Sequence, residues 1–356
     1  MLETPAPTIR ANTCGAPIRH RKDAPGALVT PASITRAIQA ARVHDIARRT
    51  PLERAAKLSE RLGHEVYLKR EDLQPVFAFK IRGAYNRMRQ LSPAERAAGV
   101  VCVSAGNHAQ GVAYSARELG IEATVVMPVT ASPIKLDAVR RLGARVLLQG
   151  DDYFAAERFC EEWVAGTGQT LIHPFDDPEV IAGQGTIGLE LLADLPQLDA
   201  VFVPVGGGGL VAGIGAYLKT LRPSARVIAV QAAESAAMER SLAAGERVTL
   251  QTTGSFADGV AVKRVGKLTY ALARQVVDEV VTVSTDEICA AIEAVHVETR
   301  VVLEPAGALA VAGLVKRCRT WPEGRRLQLS AINSGANMSF RQLSFVTDRL
   351  AMSTRS

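Results

Sequence analysis

Short apolar runs alternate with helical segments along nearly the whole chain, and this restricts the fold more than any other feature of the sequence. The runs are Val66–Lys69, Val100–Ser104, Ala123–Met127, Arg145–Leu148, Ala200–Val205, Val227–Gln231, Val280–Val283 and Leu327–Ala331. Most are apolar at nearly every position. A strand with one wet face alternates in polarity, whereas an uninterrupted apolar strand is covered on both faces, as in a parallel sheet flanked by helices. The intervening segments carry helix signals. Ser92-Pro93-Ala94-Glu95 supplies a cap, a first-turn proline and a capping-box glutamate, and Gly99 a stop. Ser132-Pro133 opens a second helix, with Leu136, Val139 and Leu142 on one face and Gly143 at its end. Ser284 to Glu287 opens a third, with Ile288, Ala291, Ile292 and Val295 at i, i+3, i+4, i+7 spacing. Repeated strand–helix–strand units predict an α/β fold with mostly parallel sheets flanked by helices.

A chain of 356 residues is long enough for two lobes. Seams are expected near Gln74-Pro75 and at Gly166-Thr167-Gly168. They delimit a small mobile lobe over 76–165 and a large lobe joined from 31–75 and 166–345, with an arm over 1–30 and a tail over 346–356. Hydrophobic residues at 47% and charged residues at 22% describe an ordinary globular protein. No stretch approaches the roughly 20 apolar residues of a membrane-spanning helix, and the N-terminus lacks the apolar region of a secretory signal. The net charge of +6 is spread out and aromatics are only 5%, so neither a nucleic-acid nor a membrane partner is expected. The five cysteines (Cys14, Cys102, Cys160, Cys289, Cys318) are odd in number and far apart, which fits reduced thiols in the cytoplasm. The six histidines show no metal-ligand spacing, so no metal site is expected.

Four segments carry chemistry. The run from Val201 to Val205 leads into Gly206-Gly207-Gly208-Gly209, then Leu210 and a helical stretch, Val211–Leu221. Side-chain-free backbone at a helix N-terminus lets several N–H groups converge on a phosphate. A dinucleotide site wants an acidic residue at the end of the next strand, and that strand ends in Gln231. No Gly-Lys-Ser/Thr follows either, so a smaller phosphorylated cofactor fits better. The second segment is Phe77-Ala78-Phe79-Lys80-Ile81-Arg82-Gly83-Ala84, downstream of Lys69-Arg70-Glu71-Asp72. Taken alone, Lys80 reads as a snorkelling surface lysine; buried among its apolar neighbours, it would become a nucleophilic amine. The third, Ser104-Ala105-Gly106-Asn107-His108-Ala109-Gln110-Gly111, is either a plain helix cap or a nest suited to a carboxylate. The fourth, Ile332-Asn333-Ser334-Gly335-Ala336-Asn337, is by itself only a cap.

In this order the four segments resemble the pyridoxal-phosphate enzymes of the tryptophan-synthase β-like fold type (fold type II), and among them the threonine dehydratases. The resemblance covers about residues 35–345 and extends to Phe256–Val262 and Glu304-Pro305-Ala306-Gly307-Ala308. It implies that Lys80 carries pyridoxal 5'-phosphate as a Schiff base, with Phe79 beside it, and acts as the catalytic base at Cα. It places Gly206, Gly207, Gly208, Gly209 and the Leu210 amide on the phosphate, Asn107 on the ring hydroxyl and Ser334 at the pyridine nitrogen. Ser104, Ala105, Gly106, Asn107 and His108 would grip the substrate carboxylate. A hydroxyl at position 334 leaves the ring nitrogen largely unprotonated, which suits an elimination whose leaving hydroxyl drains the electrons at once.

The implied reaction is β-elimination from L-threonine to 2-oxobutanoate and ammonia, a step of isoleucine biosynthesis, with L-serine to pyruvate as a side activity. A homodimer or homotetramer is implied as well. The alternatives are a serine racemase or another hydroxyamino-acid dehydratase on the same fold and, more remotely, a nicotinamide oxidoreductase. Two departures refine the comparison. Ala105 stands where the related serine racemases place a serine base, so efficient racemisation is not expected. Gln231 and Ala237 stand where those relatives place acidic metal ligands, so no divalent site is expected. Because the chain stops shortly beyond Arg341-Gln342-Leu343, neither a C-terminal regulatory (ACT-like) domain nor feedback by isoleucine is expected.

Overall fold

The computed structural model describes residues 29–151, 153–321 and 324–353, so most of the expected arm, Cys14 included, lies outside the described residues. In chain order the elements are α1 (Pro31–Ala40), β1 (Leu52–Arg54), α2 (Ala56–Leu62), β2 (Glu65–Arg70), α3 (Lys80–Arg89), α4 (Pro93–Ala98), β3 (Val100–Val103), α5 (Asn107–Leu119), β4 (Ala123–Met127), α6 (Pro133–Arg141), β5 (Arg145–Leu148), α7 (Tyr153–Thr167) and β6 (Thr170–Leu171). They continue with α8 (Pro178–Asp194), β7 (Ala200–Pro204), α9 (Gly209–Leu221), β8 (Arg226–Ala232), α10 (Ala237–Ala244), α11 (Lys267–Val276), β9 (Glu279–Val283), α12 (Thr285–Thr299), α13 (Pro305–Cys318), β10 (Gln328–Asn333) and α14 (Phe340–Ser353).

Among the described residues, the strands form a six-stranded sheet in the order β1-β2-β10-β7-β8-β9 and a four-stranded sheet in the order β5-β4-β3-β6. Every pairing is parallel except β1 with β2 at one edge. The chain therefore has the α/β architecture that its apolar runs predict. In β7 the reason is visible residue by residue. Phe202 joins the core beneath α12 and α13, with Leu309 and Ile292. Val201 and Val203 face the other way and pack with Ile187 and Ile214 of α8 and α9. Both faces are covered, so neither needs polar residues.

The capping boxes at Ser92 and Ser284 form as the sequence predicts. Ser132 precedes its helix but makes no side-chain cap bond. Two boundaries differ from expectation. The seam at 166–168 falls inside the smaller sheet, because β6 pairs with β3 and carries that sheet to Leu171. The segment from 346 is not a separate tail. It continues α14, whose Val346 is buried against the larger core with Leu350 packed beside it, an i, i+4 apolar pair that docks the helix.

A charged cluster ties the N-terminal half of α3 to the large sheet. Arg82 donates to both Glu71 oxygens and to both Glu190 oxygens, Lys69 donates to Glu190, and all four side chains are at most 1% exposed.

Candidate active site

The segment before α3 is fixed by a short backbone zipper. Phe79 N–H donates to the Ser334 carbonyl (3.2 Å), and Ala336 N–H donates to the Phe77 carbonyl (2.9 Å). An isolated bridge pairs Ala78 with Gly335 between them. Phe77 adopts φ +56°, an unfavourable left-handed conformation for an aromatic residue, which the bonds on either side hold in place. The zipper sets Lys80, the first residue of α3, against the loop that follows β10.

Lys80 is only partly exposed. Its Nζ donates to the Pro174 carbonyl at 2.8 Å and lies 5.3 Å from the Phe79 ring centroid. Burial lowers its pKa from 10.5 to about 8. At pH 7 the free-amine fraction rises from about 1 in 3,000 to about 1 in 10, so Lys80 is an available nucleophile. The rate at which the apo protein condenses with an aldehyde should climb with pH and level off above about 8, as followed by absorbance after mixing. A plateau near 10.5 would mean an ordinary lysine.

The segment touching Lys80 also walls the glycine turn. Phe175, next to Pro174, packs so closely that a Cβ on Gly207 would sit 2.3 Å from its ring and one on Gly209 would sit 3.0 Å from its carbonyl. Gly208 adopts φ +99°, a conformation that excludes most side chains. The N–H groups from Gly206 to Leu210 meet no protein acceptor among the described residues and lead into α9, whose dipole favours an anion. This cradle fits a phosphate. Gly207→Ala overpacks it against Phe175 and should weaken cofactor binding about tenfold, as measured by equilibrium titration.

The third side is built from the smaller sheet. After β3, the Ser104 hydroxyl accepts from Gly106 N–H (3.1 Å), and α5 begins at Asn107. Gly111 lets α5 approach α3, since a Cβ there would lie 3.1 Å from the Lys80 carbonyl carbon. The Asn107 amide accepts from Asn337 Nδ2 at 2.7 Å and donates to Glu304. Ser334 is buried, and its hydroxyl donates to the Ala306 carbonyl at 3.2 Å.

The sequence-derived residues thus gather around Lys80, and at His108 the side chain turns into the protein. Its imidazole is 3% exposed and bonds the Ile172 carbonyl at 2.8 Å. Burial, with Lys80 nearby, pushes its pKa down to about 3. The ring is neutral, and the group of His108 that lies in the first turn of α5 and suits an anion is its backbone N–H. Ala105 contributes a methyl group. Gln231, placed by sequence near a potential metal site, is buried and donates to the carbonyls of Val205 and Ser235. Pro174, Glu304 and Asn337 received no role from sequence. Glu304 and Asn337 lay within quoted motifs, but their contacts are set by tertiary structure.

A partly enclosed lysine beside a cradle that fits a phosphate, with a neutral hydroxyl and an amide close by, is a donor set suited to a vitamin B6 cofactor. The family described as Pyridoxal-phosphate dependent enzyme matches residues 43–329, and the chain belongs to it. Its cofactor is pyridoxal phosphate.

Among individual proteins, the chain is 52% identical over 313 residues to threonine dehydratase 1, biosynthetic and chloroplastic, of Solanum lycopersicum, covering 87% of this chain and 51% of that one. The chain spans about half the length of that relative. The solved structure of the processed form of threonine deaminase isoform 2 from Solanum lycopersicum superposes with TM-score 0.88 at 43% identity, covering 98% of each chain. Maize serine racemase superposes with TM-score 0.83 at 31% identity, covering 91% of this chain and 98% of that one.

Proposed function

We propose that this protein is a threonine ammonia-lyase, which eliminates water from L-threonine to an enamine that takes water up again to give 2-oxobutanoate and ammonia, and which handles L-serine more slowly. The observation that carries the reading is Lys80, a partly enclosed amine with its pKa near 8, set between the glycine cradle and Ser334. The similarity to the threonine dehydratase and threonine deaminase named above supplies the substrate.

Pyridoxal phosphate, when bound, supplies an aldehyde for amines and a ring that accepts electron density from Cα. The N–H groups of Gly206 to Leu210 hold its phosphate, the Asn107 amide its ring hydroxyl, and Phe79 flanks it. Ser334 presents a neutral hydroxyl to the ring nitrogen and so keeps it without a formal charge. Lys80 would hold the aldehyde carbon. As a free amine beside the substrate, it would take the proton from Cα. Backbone N–H groups between Ser104 and His108 bind the substrate carboxylate and orient the Cα–H bond towards Lys80. Ala105 has no proton to exchange, so it supplies no second base opposite Lys80, and racemisation is slow.

No helix among the described residues is long and apolar enough to cross a membrane. A cytoplasmic homodimer or homotetramer completes the reading.

Purified, cofactor-loaded protein should release 2-oxobutanoate from L-threonine faster than pyruvate from L-serine, with little D-serine formed. Formation of D-serine as the main product, with no 2-oxoacid from threonine, would instead make it a racemase.

A further inference from the structure

We propose that Glu304, together with Asn337, is a positioning residue that holds the Asn107 amide in place for the cofactor ring, across the cleft between the two sheets. The inference rests on the assignment of Asn107 to the ring hydroxyl made above.

Glu304 occupies the N-cap position of α13, yet its side chain makes no capping bond to that helix. It reaches instead to Asn107, 197 residues away in sequence and at the start of α5, and accepts from Nδ2 at 2.5 Å. The other end of the Asn107 amide accepts from Asn337 Nδ2, which also donates to the Val76 carbonyl (2.9 Å), just upstream of Lys80. The chain Val76–Asn337–Asn107–Glu304 therefore links the Lys80 loop, the Ser334 loop and the smaller sheet.

The direction of this chain is chemically determined. In its ionised form, which the bond from Asn107 itself favours, the Glu304 carboxylate can only accept and so selects the NH2 end of Asn107. One N–H of that group is used by Glu304, and the second remains for an oxygen in the cleft. Without the carboxylate, the amide could turn end for end and present its oxygen to the ring hydroxyl.

Glu304 is 6% exposed, and burial pushes its pKa up to about 7. The bonds from Asn107 and from the Asn337 backbone, with Lys135 of α6, favour its charged form, while Asp258 opposes it. Gly335 makes room for the carboxyl group, since a Cβ there would come within 2.3 Å of Oε1. The fold thus accommodates a buried carboxyl that does not cap its own helix.

The test uses Glu304→Ala, Glu304→Gln, Glu304→Met and Asn337→Ala, each titrated with pyridoxal phosphate after removal of the cofactor. Affinity and the visible band of the lysine-bound cofactor are recorded, with circular dichroism and thermal melting as checks of folding. Glu304→Ala should weaken cofactor binding about tenfold, about 1.4 kcal/mol, and shift the band. Glu304→Gln, which keeps the volume and an acceptor oxygen, should stay within about threefold of the parent, whereas Glu304→Met, which keeps the volume without an oxygen acceptor, should fall with Glu304→Ala; a folded Glu304→Met protein with the parent's affinity and band would overturn the inference. Asn337→Ala should weaken binding as well. It decides the matter if Glu304→Ala does not fold. A folded Glu304→Ala or Asn337→Ala protein with the parent's affinity and band would overturn the inference. If the parent itself binds no cofactor at Lys80, the site assignment beneath it fails instead.

Discussion

Lys80→Ala should lower turnover of L-threonine by about 10⁴-fold or more while leaving the protein folded. The substitution removes both the amine that holds the cofactor and the base that takes the Cα proton, so no other side chain can make up one loss without the other. The structural cost is small. Among the described residues, Lys80 Nζ donates to the Pro174 carbonyl alone, and alanine is a good helix former at the first position of α3. The glycine cradle is untouched, so the cofactor should still bind, more weakly and without a covalent link. Steady-state assay and thermal melting separate these effects. A variant that keeps a tenth of the parent's activity would show that Lys80 is not the reacting amine.

The second large effect is on stability. Glu190→Ala should destabilise the protein by about 3–5 kcal/mol. Glu190 receives bonds from Lys69, from two nitrogens of Arg82 and from His44, and it is 1% exposed. Its removal leaves Arg82 paired with Glu71 and the buried Lys69 ammonium with only the Thr50 carbonyl among the described residues. The folded pKa bears on the sign of the pH dependence. Burial pushes the Glu190 carboxyl up, but His44, Arg82 and Lys69 more than offset this and hold it at about 2. A carboxyl depressed in the folded state contributes fully above its unfolded pKa of about 4.5, and this contribution is lost as pH falls towards about 2. Urea unfolding should therefore show the parent losing stability between these limits, and Glu190→Ala losing less. Because Arg82 lies two residues beyond Lys80 on α3, the variant should also lose cofactor affinity. A change in stability below about 1 kcal/mol would mean that the cluster contributes little net free energy.

Much of the fold is legible in the sequence because its strands are buried on both faces. β4 and β5 span the residues that their apolar runs predict. The edge strand β1 left no such trace. Leu52-Glu53-Arg54 is three residues long, partly exposed and antiparallel, and β6 is shorter still. At the site, Lys80, the glycine run, Asn107 and Ser334 stand out because their local sequence is unusual. Glu304 does not, because a glutamate before a proline reads as an ordinary helix start. What sets it apart is Asn107, brought to it where the start of α5 meets the start of α13. The burial of the His108 imidazole was not legible for the same reason, since it depends on the position of the Ile172 carbonyl.

The central claim is a covalent link between the cofactor and one lysine. Borohydride reduction of the cofactor-loaded protein, followed by proteolysis and mass mapping, should place the added pyridoxyl group on the peptide containing Lys80. Label on another lysine, or on none, would contradict the account.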